Sequence, residues 1–188
     1  MIVLLLAALI AAPRTSRGSP TPSTPAQQQE LTDEQVRERV QAYLGAIDRA
    51  ASPERWKALG PRAAPVLEAV IADQGQFPSV RAKAVDGLVA VAPDRAATLV
   101  GKLARDEKEQ VVVRVAALQG AGQVLQGQRT LTELRPVLRS AKSAGLRAEA
   151  ADVISRKKGG CVEVRDQVAR EKGENREAFR RAMDRCPE

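Results

Sequence analysis

Residues 79–88 read "SVRAKAVDGL", a single arginine set near the start of a small, apolar helical pattern. The phrase returns as "VVRVAALQGA" at 112–121 and as "GLRAEAADVI" at 145–154. Aligned on the arginine, Val80, Val113 and Leu146 correspond, then Arg81, Arg114 and Arg147, then Ala84, Ala117 and Ala150, at a constant step of 33 residues. One further step reaches Phe179, Arg180 and Met183, with an alternative register through Arg176. A fixed period in this range, with two helices in each period, marks a stack whose units bury their faces only against neighbours.

The text around the phrase supplies the other helix of each unit. Ala63, Val66, Leu67 and Val70 form one apolar stripe, "DQGQFP" at 73–78 breaks it, and Val80, Ala84 and Leu88 form the next. "APD" at 92–94 breaks again before Leu99, Val100 and Leu103. Spacings of three and four residues hold each set on one helical face. Asp73 and Asp106 stand at matching positions just after the first helix of a unit. Further upstream, Thr32 and Gln35 form a capping box with Leu31 stapled to Val36, and Val36, Val40, Tyr43, Leu44 and Ile47 share a face. Ser52-Pro53-Glu54 opens a short helix bearing Trp56 and Leu59, which Gly60-Pro61 stops.

Composition agrees with closely packed helices. Of the 188 residues 44% are hydrophobic, enough for a core, but only 2% are aromatic, so the core is built of Ala, Val and Leu. A β-sandwich prefers β-branched and aromatic residues. The chain contains no histidine, which removes the usual general base, the commonest zinc ligand and any Ser-His or Cys-His nucleophile pair.

These features resemble a HEAT repeat of the short bacterial type. Residues 58–88, "ALGPRAAPVLEAVIADQGQFPSVRAKAVDGL", carry the family's Leu-Gly, the proline of the first helix, the Asp after it and the Val-Arg that opens the second. The second unit keeps Asp106, Val113 and Arg114; the third keeps Pro136, Leu146 and Arg147 but has Arg139 in the place of the Asp; the fourth is degenerate. The likeness covers about residues 52–186. It implies an all-α, right-handed superhelix of about four helical hairpins, in which Arg81, Arg114 and Arg147 are structural and pair with acidic residues between the helices. An arginine in the first turn of a helix opposes the macrodipole, so on physical grounds too it needs a carboxylate or carbonyl partner.

Residues 2–12, "IVLLLAALIAA", are an unbroken apolar run, shorter than the roughly 20 residues that span a bilayer. A Pro/Ser/Thr/Gln tract follows. The expected organisation is a secretory signal over 1–18, a flexible tether over 19–31 and a HEAT-like domain over 32–188. Ser16 and Gly18 offer the small residues of a cleavage site, although no basic residue precedes the run and Pro13 obstructs cutting after Ala12. The competing arrangement keeps residues 1–12 as an internal helix of a cytoplasmic protein. Export to the periplasm or cell envelope fits the two cysteines. Cys161 opens one helix and Cys186 closes the next, so antiparallel packing brings them together. A bridge there contributes roughly 3 kcal/mol in the chain-entropy model. No transmembrane span is expected in the mature chain.

Motifs that resemble catalytic sites dissolve on inspection. Ser155 and Lys158 have S-x-x-K spacing, but no companion motif exists, and basic residues at a helix C-terminus complement its dipole. The "GAG" at 120–122 lies inside a helical stripe, where glycines permit close packing. Glu163 and Asp166 are an ordinary carboxylate pair on a helix surface. No catalytic residue, cofactor or metal is expected, and the chain reads as non-catalytic.

The partner-facing candidates are the positions of the second helices outside the apolar stripe: Lys83, Ala116 and Glu149, then Asp86, Gln119 and Asp152. Their mixed signs argue against nucleic acid, which needs a run of positive charge along phosphates. The net charge is +7, and from Arg135 onward 14 Lys and Arg face 9 Asp and Glu, a local +5. Arg135, Arg139, Arg156, Lys157, Lys158, Arg165 and Arg170 therefore offer a basic end for an acidic partner or an anionic surface. The sequence thus points to an interaction scaffold with a protein partner in the bacterial envelope. The alternative is a cytosolic accessory protein acting with an enzyme on an anionic substrate.

Overall fold

The computed structural model describes residues 31–47, 50–173 and 175–186, all within a unit that begins at Leu31. The leader expected over 1–18, and the tether expected over 19–31 apart from Leu31, lie outside the described residues.

Helix α1 (Asp33–Gly45) starts where its capping box directs: the Gln35 amide donates to Thr32 Oγ1 at 3.3 Å, and the Thr32 amide to Gln35 Oε1 at 3.0 Å. Helix α2 (Pro53–Lys57) is capped by Ser52 and buries Trp56, whose ring meets Tyr43 edge-on at 5.1 Å. Ile47, expected on the buried face of α1, is instead 93% exposed. The helix ends at Gly45, and the chain turns away before Ile47 can complete the stripe.

Three helical pairs and a broken fourth unit follow. Helix α3 (Ala64–Ala72) pairs with α4 (Pro78–Val91), α5 (Pro93–Arg105) with α6 (Val111–Val124), and α7 (Gly127–Ser140) with α8 (Ala144–Ser155). Helix α9 (Gly160–Arg170) precedes two short pieces, α10 (Asn175–Ala178) and α11 (Arg180–Met183). The second helices begin at 78, 111 and 144, which keeps the step of 33 residues to the residue. Each packs on the next, α4 on α6 and α6 on α8, while α5, α7 and α9 pack in a parallel row. No strand occurs among the described residues, and the fold is an all-α, solenoid-like stack.

The core runs the length of the stack through side chains such as Leu67, Leu88, Leu118, Leu134, Leu146 and Ile154, each less than 2% exposed. Fully burying such a side chain contributes about 1.5–3 kcal/mol. Small residues set the helix spacing. A Cβ on Gly120 would lie 2.8 Å from Val89 Cγ2 of α4, and one on Gly122 would lie 3.1 Å from Val153 Cγ1 of α8. The "GAG" of α6 is thus a seat for both neighbours.

The last unit departs from the repeat. Phe179 is fully buried at the break between α10 and α11, but Arg180 is exposed and pairs with Glu177 at 2.6 Å. The arginine step does not continue at 180; Arg176 Nε donates instead to the Glu171 carbonyl at 3.2 Å. Cys161, in the first turn of α9, is bridged to Cys186, just beyond α11, with their Cα atoms 5.4 Å apart.

Candidate functional site

The three repeat arginines occupy equivalent places and are held differently. Arg81 is 2% exposed; its Nε donates to the Ile71 carbonyl at 2.9 Å, and its two Nη groups donate to Glu109 at 2.7 and 2.6 Å. Arg147 also makes a two-armed pair, but from its side: Nε and Nη2 donate to Glu171 at 2.6 and 2.7 Å, and Nη1 donates to the Ala141 carbonyl at 2.7 Å. Burial works to raise the Glu109 carboxyl, but the hydrogen bonds from Arg81 and the Gln110 amide outweigh it and hold the group below its ordinary range. Glu171 is held low by Arg147. Arg114 Nε donates to the Ala104 carbonyl at 3.0 Å, and no carboxylate of the described residues lies within ion-pair reach of it.

The carboxylates come from the following unit. Asp73 and Asp106 serve their own turns: Asp73 accepts from the Gly75 amide at 2.9 Å and the Gln76 side chain at 3.1 Å, and Asp106 accepts from the Lys108 amide at 2.9 Å.

Along the α4–α6–α8 face the expected partner residues divide. Asp86 and Gln119 are exposed. Lys83 is not available: its ammonium donates to the carbonyls of Leu44 and Ala46 at 3.1 and 2.6 Å, closing the C-terminus of α1. Lys157 does the same for α6, donating to the Gly122 and Leu125 carbonyls at 3.0 and 3.1 Å. Ala116 is buried at 6% exposure because α6 is enclosed by α4 and α8. Asp152 is also buried, accepting from Arg156 at 2.6 Å and from Arg185, which the fold-back of α11 brings over it. Glu149 is half-buried, with Gln119 at 3.1 Å and Arg181 at 3.7 Å. Lys158 is exposed.

Two clefts open on this face. One, of about 430 Å³, is lined by Trp56, Lys57, Asp86, Val89, Gln123 and Val124. The other, of about 380 Å³, is lined by Gln119, Gln123, Glu149, Asp152, Arg156 and Arg181. Gln123 belongs to both, so they adjoin. Asp86 has no hydrogen-bond or ion-pair partner among the described residues, and although much of its surface is open, burial around its carboxyl pushes it up to about 6. Gln123 was legible in principle, one turn beyond Gln119 on the same face. Lys57, Arg181 and Arg185 arrive from elements outside the repeat phrase, and no periodic signal marks them.

The basic end is largely neutralised. Arg135 and Arg139 both reach Glu163 at 2.8 Å, Arg156 holds Asp152, and Lys157 caps α6. Lys158, Arg165 and Arg170 remain exposed without an ion pair among the described residues. Ser155 donates to the Asp152 carbonyl at 2.9 Å and is buried, so the S-x-x-K spacing assembles no nucleophile. In comparisons with known proteins, no family model, no curated protein and no solved structure matches the chain.

Proposed function

We propose that this chain is a non-catalytic interaction module of the HEAT-like type, exported to the bacterial envelope, whose α4–α6–α8 face receives a segment of a partner protein. The observation that carries the reading is the pair of adjoining clefts joined at Gln123. A segment lying across them meets Lys57 and Asp86, then Gln119 and Gln123, then Glu149, Arg156 and Arg181. Alternating donors and acceptors of both signs suit peptide groups and mixed side chains better than a phosphate backbone. The unpartnered Asp86 calls for a cationic or hydrogen-bonding group from outside. Export is supported by the Cys161–Cys186 bridge, since such bonds persist in oxidising compartments. No helix among the described residues is long and apolar enough to cross a membrane.

The test is site-specific photocrosslinking in the protein's own host. A photoreactive residue at Gln123 should give one discrete protein adduct. The same residue at Thr132, exposed on α7, should give none, and Asp86→Lys should abolish the Gln123 adduct. Equal adducts from both positions, or an adduct with nucleic acid, would overturn the interaction reading. Intact mass on the same sample tests export: the expected product lacks its leader and is lighter by two hydrogens for the bridge. An unprocessed, reduced chain would favour the cytosolic alternative.

A further inference from the structure

The middle unit lacks one part that its neighbours have. Adding 33 to each residue around Arg81 gives its counterpart around Arg114: Ile71 becomes Ala104, Gln74 becomes Glu107, and Glu109 becomes Lys142. The carbonyl bond is kept, Arg81 to Ile71 at 2.9 Å and Arg114 to Ala104 at 3.0 Å. The carboxylate is not, because a lysine stands in its place. Arg114 is nonetheless 7% exposed, and no carboxylate is within ion-pair distance among the described residues. Beside it lies a small cleft of about 90 Å³, lined by Arg105, Glu107, Arg114, Pro136, Val137 and Ser140. This is the counterpart of the larger space around Arg81, into which Glu109 reaches.

Among the described residues only the Arg114 Nε has a partner, its terminal nitrogens open onto the cleft, and the geometry a guanidinium favours there is the two-armed carboxylate pair that Arg81 and Arg147 display. Arg105 does not compete for an incoming anion's place, since it is engaged with Glu133. Lys142 is exposed and makes no ion pair among the described residues, so a second positive group belongs to the same position of the unit. We infer that Arg114 and its cleft form a receptor for a single carboxylate, supplied by an acidic side chain of a protein partner. The site lies at the turns joining α5 to α6 and α7 to α8. It is therefore separate from the α4–α6–α8 face and stands or falls independently of the reading above.

The experiment uses the intact, oxidised protein and follows the side-chain Nε–H signals of its arginines by NMR while acetate is added, with inorganic phosphate as the comparison anion. The Arg114 signal should move and saturate with acetate, while those of Arg81 and Arg147 stay fixed. Lys142→Glu supplies the missing carboxylate within the chain. It should shift the Arg114 signal without acetate, weaken acetate binding by about tenfold or more, and raise the melting temperature. A peptide carrying one glutamate between neutral residues should act as acetate does, and its glutamine counterpart should not. An unmoved Arg114 signal in the native chain, an undiminished response in Lys142→Glu, or a response to phosphate alone would each overturn the assignment. So would an Arg114 signal that titrates with the carboxyl of Glu107 and returns to the unpaired position in Glu107→Gln, because the counter-charge would then be internal.

Discussion

Arg81 and Glu109 stand 28 residues apart and meet through two hydrogen bonds of 2.7 and 2.6 Å, each side chain only 2% exposed. The contact joins the second helix of one unit to the turn before the second helix of the next. A buried pair of this kind is dangerous to halve. Glu109→Gln should cost about 3–5 kcal/mol because it strands the guanidinium. At roughly 2–4 °C per kcal/mol for a chain of this size, thermal unfolding should show it plainly. Replacing both partners together, Arg81→Met with Glu109→Leu, should recover most of the loss; a double variant no better than Glu109→Gln would mean that the pair is not the source of the cost.

The bridge between Cys161 and Cys186 closes a sequence separation of 25 residues across the terminal helices. Reduction, or the Cys161→Ser and Cys186→Ser double substitution, should lower stability by about 3 kcal/mol. Hydrogen exchange should rise first in α9 to α11 and leave α4 to α6 protected. Uniform loss of protection would show that the bridge supports the whole stack rather than its last unit.

Gly160 begins α9 directly after the left-handed Gly159, at φ 81°. A Cβ on Gly160 would stand 1.8 Å from the Ile154 carbonyl oxygen, a backbone atom that cannot move aside. Gly160→Ala should therefore destabilise by about 3 kcal/mol or more. Gly45→Ala, where an added Cβ meets nothing within 4 Å, is the matched control and should cost little.

The carboxylates divide by sign in their pH dependence. Glu163 and Glu171, held low by their arginines, and Glu109, held low by Arg81 against the opposing effect of burial, contribute stability that is complete above the ordinary 4.5. It is lost as pH falls through their depressed values. Asp86 does the reverse. Its carboxyl rises from 3.8 to about 6, so the protonated form favours folding, and that contribution fades as pH rises through about 6. Asp86→Asn should be the more stable protein at about pH 7, with the gap to the native chain closing toward about pH 4. Denaturant unfolding at intermediate pH values decides it; a gap that does not change with pH would mean that Asp86 is solvated like any surface carboxylate.

The sequence announced the helices well and their charges poorly, for a physical reason. Helix positions are set by local periodicity, and the second helices fall at 78, 111 and 144 as the arginine phrase requires. Side-chain partners are set by what the stack brings close. Lys83 looked free because its acceptors, Leu44 and Ala46, lie 37 to 39 residues upstream at the end of another helix. Asp152 looked exposed because Arg185, which covers it, belongs to a unit whose register is broken at Phe179. The need of Arg81 and Arg147 for a partner was legible, but their carboxylates lie in the following unit, outside the phrase that identified them.

The same displacement gives the stack a direction in time. A ribosome delivers Arg81 before Glu109 and Arg147 before Glu171, so each guanidinium emerges ahead of its counter-charge. At ordinary elongation rates the interval for 28 residues is roughly 1–6 s. During it the arginine has only the carbonyl of the preceding helix to hold. A nascent chain therefore carries first Arg81 and later Arg147 without a counter-charge, and arrival of the following unit is what closes each of these two pairs.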